Sequence, residues 1–280
     1  LIVQLAGNQM PHETILFSQG ADGVARLTLN RPEAKNAMNG TMYDEAREVV
    51  AAIDRDPAIR VVVLSGAGSA FCSGGDFKYQ QSQAQRPHAD RIAEASKLAL
   101  WLGELDRLSK PVIGRINGAA FGGGLGLVSV CDVAIAPAGV KFCLSEASLG
   151  LMPSMISPYV VRKMGVSNAR SVFLNSRVFS AQEALGFGVL HEVVDDEAAL
   201  DAAGERQVKL FLRCAPGAVA ATKRLVDFVD REPAEASFRY TVALVAEMWS
   251  SAEAAEGIDS FLHKREPNWR PGAVSNQPQA

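Results

Sequence analysis

Little in this chain could bind a metal or close a disulfide. Its 280 residues include only four cysteines, at 72, 131, 143 and 214, and no C-x-x-C pair. That spacing excludes a zinc site and a disulfide framework, and predicts reduced thiols in a cytoplasmic setting. The four histidines, His12, His88, His191 and His263, lack partners at metal or triad spacing and are expected to be structural. No lysine or arginine precedes Arg26, so neither a signal peptide nor an arginine-rich transit peptide is expected. Met10 reads as the natural start, with Leu1–Gln9 a remnant before it. No apolar run approaches the roughly eighteen residues a membrane span needs. Charge is nearly balanced, 28 Lys plus Arg against 31 Asp plus Glu for a net −3. No broad basic surface is available for counterion release, so nucleic acid is not an expected partner.

What is present suits a large folded body, because 48% of residues are apolar and 21% charged. Val24–Asn30 reads as a strand with Ala25, Leu27 and Leu29 on one face. Thr41–Asp56 carries Met42, Ala46, Val49 and Ile53 at helical spacing and ends at Asp56-Pro57. Arg60–Gly66 is a buried-strand pattern. The glycine-rich loop Gly66–Asp76 follows, then a glutamine-rich stretch, Tyr79–Arg86, expected to be mobile. His88–Leu108 is a helix. Pro111–Ile116 is a strand, Asn117–Gly124 a second glycine loop, Leu125–Val130 a short helix, and Asp132–Ala136 and Phe142–Ser145 strands. Beyond Val178 the pattern is helical except for a strand-like Gly188–Val194, with helices at Asp201–Arg213, Gly217–Val229, Ala234–Ser250 and Ala254–Lys264. Glycine loops that repeatedly follow strands predict an α/β protein binding ligands at strand ends.

Neither glycine loop is a phosphate cradle. In Gly66-Ala67-Gly68 the third glycine of G-x-G-x-x-G falls on Phe71. Counted from Gly122 it falls on Leu127, and from Gly124 on Ser129. Bare backbone can serve another end, aiming N–H groups at a developing oxyanion that a Cβ would keep away. The plainer alternative is that these glycines only permit tight turns.

Asn30-Arg31-Pro32-Glu33-Ala34-Lys35-Asn36-Ala37-Met38, Phe71-Cys72-Ser73-Gly74-Gly75-Asp76 and Asn117-Gly118-Ala119-Ala120-Phe121-Gly122-Gly123-Gly124 together resemble the crotonase (enoyl-CoA hydratase/isomerase) superfamily. Leu144-Ser145-Glu146 and Leu149-Gly150-Leu151-Met152-Pro153 continue the match, which runs from about Ile15 to Pro267. The resemblance implies a spiral of ββα units over residues 10–195, a helical trimerisation region over 196–267, and a flexible tail over 268–280. It also implies an acyl-CoA thioester substrate, assembly as a trimer or dimer of trimers, and no cofactor beyond the substrate's own coenzyme A. By position, Gly75 and Gly123 would supply the oxyanion amides. Asp76, Phe77, Lys78, Arg31, Lys35 and Ser154 would join them in substrate binding.

The resemblance assigns proton transfer to Glu146, whose apolar neighbours Phe142-Cys143-Leu144 and Leu149-Gly150-Leu151 should raise its pKa. Two-glutamate hydratases of the family carry a second glutamate three residues past the second oxyanion glycine. Here that residue is Gly126. A single glutamate suits a Δ3–Δ2 enoyl-CoA isomerase, or a hydratase whose water is held by other donors. Phe121–Leu127 and Ile156–Val161 are similar to bacterial hydratases of branched, carboxylated enoyl-CoAs such as 3-methylglutaconyl-CoA, which tends to favour hydration. A catalytically silent CoA-binding protein on the same fold is the remaining alternative.

Overall fold

The computed structural model describes residues 12–270. In chain order it contains β1 (Ile15–Gln19), β2 (Val24–Leu29), α1 (Gly40–Arg55), β3 (Val61–Gly66), β4 (Ala70–Cys72), α2 (Phe77–Ala84) and α3 (His88–Asp106). Then follow β5 (Val112–Arg115), β6 (Ala119–Phe121), α4 (Gly123–Ser129), β7 (Val133–Pro137), β8 (Lys141–Cys143) and α5 (Ser157–Phe173). The last part holds β9 (Phe179–Ser180), α6 (Ala181–Gly186), β10 (Glu192–Val194), α7 (Glu197–Leu212), α8 (Pro216–Arg231), α9 (Ala234–Trp249) and α10 (Ala252–Leu262).

The strands form two sheets, ordered β1-β2-β3-β5-β7-β10 and β4-β6-β8-β9. Pairing is parallel except at β1–β2 and β8–β9. Consecutive strands β3/β4, β5/β6 and β7/β8 therefore divide between the sheets, and a helical stretch follows each pair. This is a wound ββα repeat. Its repetition lies in geometry rather than in sequence, which is why no internal repeat is legible.

One large core lies beneath these elements and includes Phe71, Trp101, Phe142 and Phe179, all fully buried. Helix α1 enters it because Met42, Ala46, Val49, Val50 and Ile53 recur on one side. Asn39 caps that helix by accepting from the Met42 N–H at 3.0 Å. Helix α7 packs Leu200, Val208 and Leu212 against the six-stranded sheet, next to Val24, Val61, Ile113 and Ile135. The division expected at residue 195 thus falls just before a helix that covers that sheet.

Several expectations need correction. The stretch expected to be mobile, Tyr79–Arg86, is largely α2. Asp76 caps it, accepting from the Lys78 and Tyr79 N–H groups. The helix buries no residue, so it leaves no apolar period to read. Strands β4 and β6 occupy the middle of the two expected loops. The run Gly188–Val194 is a strand only from Glu192, because Gly188 makes a left-handed turn (φ +78°). Part of the expected tail is tied down: the Asn268 N–H donates to Glu256 at 2.8 Å and Trp269 Nε1 to the Arg213 carbonyl at 3.2 Å. Residues 271–280, like Leu1–Gln9 and Met10, lie outside the described residues. His191 is structural as expected, its Nδ1 accepting from the Ala134 N–H at 3.0 Å.

Candidate active site

The two glycine loops meet at the ends of the second sheet. The first is fixed by Asn36, fully buried at φ +55°. Its Nδ2 donates to the carbonyls of Ala67, Ala70 and Phe71 at 2.9–3.2 Å. Met38 then pairs with the loop as a single parallel bridge: its N–H donates to Gly74 O at 2.8 Å and its carbonyl accepts from the Asp76 N–H at 2.9 Å. Successive amides of an extended chain point to opposite sides. With Asp76 donating to Met38, the Gly75 N–H turns the other way, and it donates to no group among the described residues. Gly74, at φ +98°, makes this turn possible.

The second loop ends β6 and opens α4. The Gly122 N–H donates to the Cys143 carbonyl at 2.8 Å, and the first helical bonds return from Leu125 and Gly126 to Gly122 O. The Gly123 N–H is therefore one of the orphan donors of a helix start. Gly74 and Gly122 nearly touch, since a Cβ added to Gly122 (φ +48°) would stand 3.8 Å from Gly74 Cα. The same Cβ would stand 3.0 Å from Glu146 Oε1. Gly75 and Gly123, each next in the chain to one of these two glycines, line one cavity together with Glu146.

Glu146 begins a 3-10 turn, Glu146–Leu149, directly after β8. Its Oε2 is buried and has no hydrogen-bond partner among the described residues. Burial raises its pKa above the ordinary 4.5, offset only in part by its own backbone amide. The group stands beside a cavity of about 300 Å³ whose wall includes Gly75, Gly123, Phe77, Leu98, Tyr43 and Ser154. The volume suits a small acyl chain.

Of the expected substrate-binding residues, Gly75, Phe77, Gly123 and Ser154 line this cavity, while Asp76, Lys78, Arg31 and Lys35 lie outside it. Arg31 is held internally: its Nη1 meets Asp76 Oδ2 at 3.0 Å and the Ala37 carbonyl at 2.5 Å, and both side chains of the pair are 19% exposed. Burial would raise the Asp76 pKa, but the Tyr79 N–H and Arg31 hold it below the ordinary 3.8. This pair ties the Arg31–Met38 loop to the cap of α2. Lys35 and Lys78 are exposed and make no ion pair among the described residues. Composition and spacing missed Met38, Tyr43 and Tyr79 on the wall. Met42, Tyr43 and Ala46 share one face of α1, and that apolar stripe reads as core alone.

Gly126 has a packing reason. A Cβ there would fall within the Ile156 side chain, 2.9 Å from its Cβ, and 3.6 Å from Leu102 Cδ1. Ile156 and Leu102 are 2% and 0% exposed, so the space a second carboxylate would need is filled. Gly126→Ala is expected to destabilise by about 1–2 kcal/mol, because overpacking outweighs the roughly 1 kcal/mol that alanine gains in a helix. Urea unfolding of both forms checks this, and an equal or higher midpoint in the variant would contradict the packing.

Other chemistries find less support. Cys72 and Cys131 are buried, which pushes both thiols up to about 12, far from reactive thiolates. Among the described residues no cluster of His, Cys, Asp and Glu could hold a metal, and no helix is long and apolar enough to cross a membrane.

A wound ββα body whose two glycine loops present free amides beside one desolvated carboxyl group defines a class of acyl-binding α/β proteins. Within that class the chain belongs to the enoyl-CoA hydratase/isomerase family of the crotonase superfamily, whose pattern matches residues 19–272. It is 36% identical over 203 residues to enoyl-CoA hydratase ACTT6 of Alternaria alternata, a match covering 72% of this chain and 66% of that protein. It thus spans just under two thirds of that fungal relative. Over 249 residues it is 31% identical to the (E)-benzylidenesuccinyl-CoA hydratase of Thauera aromatica, covering 88% of this chain and 95% of the relative. The crystal structure of an enoyl-CoA hydratase from Shewanella pealeana superposes with a TM-score of 0.88 at 34% identity, covering 92% and 96% of the two chains.

Proposed function

We propose that this protein adds water across the 2,3 double bond of an acyl-CoA thioester. The observation that carries this reading is the buried, unpartnered Oε2 of Glu146 beside two free glycine amides. Ionised Glu146 takes a proton from water as the water oxygen bonds to C3. The displaced electron pair moves through C2 onto the thioester oxygen, where the Gly75 and Gly123 amides hold the enolate. Glu146 then returns the proton to C2. Atoms balance and no oxidation state changes overall, so the step calls for no redox group or metal. Each preorganised donor contributes about 3 kcal/mol to the transition state.

Branched or carboxylated acyl groups, 3-methylglutaconyl-CoA among them, are the proposed substrates. The Thauera relative, named for a carboxylated acyl-CoA, supports this. Lys35 and Lys78 would meet the CoA phosphates, and Arg31 would act by holding Asp76. Exposed apolar side chains on α9 and α10, such as Trp249 and Phe261 at 74% and 83%, support assembly through these helices into trimers or paired trimers. Single-glutamate chemistry also favours a second reading, a Δ3–Δ2 isomerase in which Glu146 takes a proton at C2 and returns it at C4. A silent CoA-binding role is the third. Incubation with crotonyl-CoA, 3-methylglutaconyl-CoA and a 3-enoyl-CoA, with products identified by mass, separates them. Hydrated product is expected; isomerised but unhydrated product would favour the second reading, and no turnover the third.

A further inference from the structure

Among the described residues, three charged side chains line the cavity: Arg91, Glu94 and Glu146. Glu94 accepts a hydrogen bond from the Tyr79 hydroxyl and pairs with Lys97 at 3.3 Å and Arg86 at 3.6 Å. Glu146 is the proton carrier of the proposed reaction. Arg91 differs from both: among the described residues its guanidinium makes no ion pair and no hydrogen bond. Its neighbours four residues away on the helix are Pro87 and Ala95, which offer no carboxylate. Glu94, three residues on, is already engaged by two other cations.

The position of Arg91 is defined by α3. Leu98, Ala95 and Arg91 follow at helical spacing, and all three line the cavity. Leu98 marks the oxyanion end, because its Cδ2 is 3.8 Å from where a Cβ on Gly123 would stand. Arg91 lies two turns nearer the helix N-terminus, about 10 Å along the axis at ~1.5 Å per residue. Its side chain leans further that way. Ala95, Leu149, Leu151 and Met152 give this wall carbon surface, beside the polar Tyr79, Gln80 and Gln83 and the carboxylate of Glu94, which Arg86 and Lys97 already pair. An acyl chain running along it from the glycine amides would meet carbon first and one unneutralised cation last.

We propose that Arg91 is a specificity-determining residue that binds a carboxylate at the far end of the acyl chain. The preferred substrates are then enoyl-CoA esters whose acyl group carries an acid. This rests on the hydratase reading above and extends it to the substrate's distal group. A guanidinium offers two parallel N–H donors to a carboxylate. Arg91 is exposed, so the contact sits at the low end for a charge-assisted bond, about tenfold in kcat/KM.

The test compares trans-2-octenoyl-CoA with trans-2-octenedioyl-CoA, which differ only in the terminal acid, on the parent protein and on Arg91→Gln and Arg91→Lys. The expected result is a parent preference for the diacid ester of about tenfold. Arg91→Gln should bring the ratio of the two kcat/KM values close to one, and Arg91→Lys should restore part of it. A parent that hydrates both esters equally, or a ratio that Arg91→Gln leaves unchanged, overturns the proposal. So does an equal rise in KM for both esters, since the cation would then act on the CoA moiety they share. Hydration of neither ester by the parent overturns the hydratase reading itself.

Discussion

Replacing Glu146 by glutamine is expected to lower enoyl-CoA turnover at least about a hundredfold, while CoA-ester binding and the fold persist. Glutamine keeps the shape of the side chain but cannot take a proton from water and return it to C2. Near-normal hydration by the variant would remove Glu146 from the mechanism. The pH profile supplies a second readout. In the proposed reaction the ionised carboxylate takes the first proton, so kcat/KM of the parent should fall on the acid side as Glu146 gains a proton. Because burial raises this group, that limb should lie above 4.5.

The same burial fixes the sign of the stability change. A carboxyl group with a higher pKa folded than unfolded binds more protons in the native state between those two values. Stability then decreases as pH rises from 4.5 through the raised folded pKa. Above that window the native protein carries a desolvated charge that glutamine lacks. Glu146→Gln should therefore be at least as thermally stable as the parent at pH 8, a pairing of lost activity with retained stability typical of functional groups. A clear drop in melting temperature at pH 8 would instead give Glu146 a structural role.

How far the sequence revealed this site depended on which physical signals reach the residue pattern. Glu146 and the glycines of both loops stood out through their linked motifs, and α1, α3, β2, β3, β5 and β7 through their apolar patterns, whereas β1, with only Ile15 fully buried, went unread. Strands β4 and β6, three residues each, are too short to show a period of two and are hidden among glycines. Helix α2 buries nothing, so only its cap at Asp76 could have announced it. The pairing of Arg31 with Asp76, 45 residues apart, and the filling of the Gly126 site by Ile156 are long-range contacts. Nothing local in the chain encodes them. Arg91 is a further case: a lone arginine on an exposed helix face reads as solvated until the fold sets it on the wall of the cavity.

The second large effect is expected at Gly75, where two substitutions separate a lost donor from a crowded loop. Proline removes the N–H proposed to hold the substrate oxygen, and its ring also restricts the preceding residue. That residue is Gly74, held at φ +98°, so the loop should be displaced as well. Gly75→Pro is therefore expected to lower kcat by about 10²–10³ or more. Alanine keeps the N–H. Its Cβ would collide only with the terminal amide of Gln80, an exposed side chain free to move away. Gly75→Ala should accordingly stay within about tenfold of the parent, a cost of ~1.4 kcal/mol at most. Circular dichroism and CoA-ester binding would establish that both variants are folded. If a folded Gly75→Pro retained parental kcat, or if alanine proved as damaging as proline, the enolate would have to be held by donors other than the Gly75 amide.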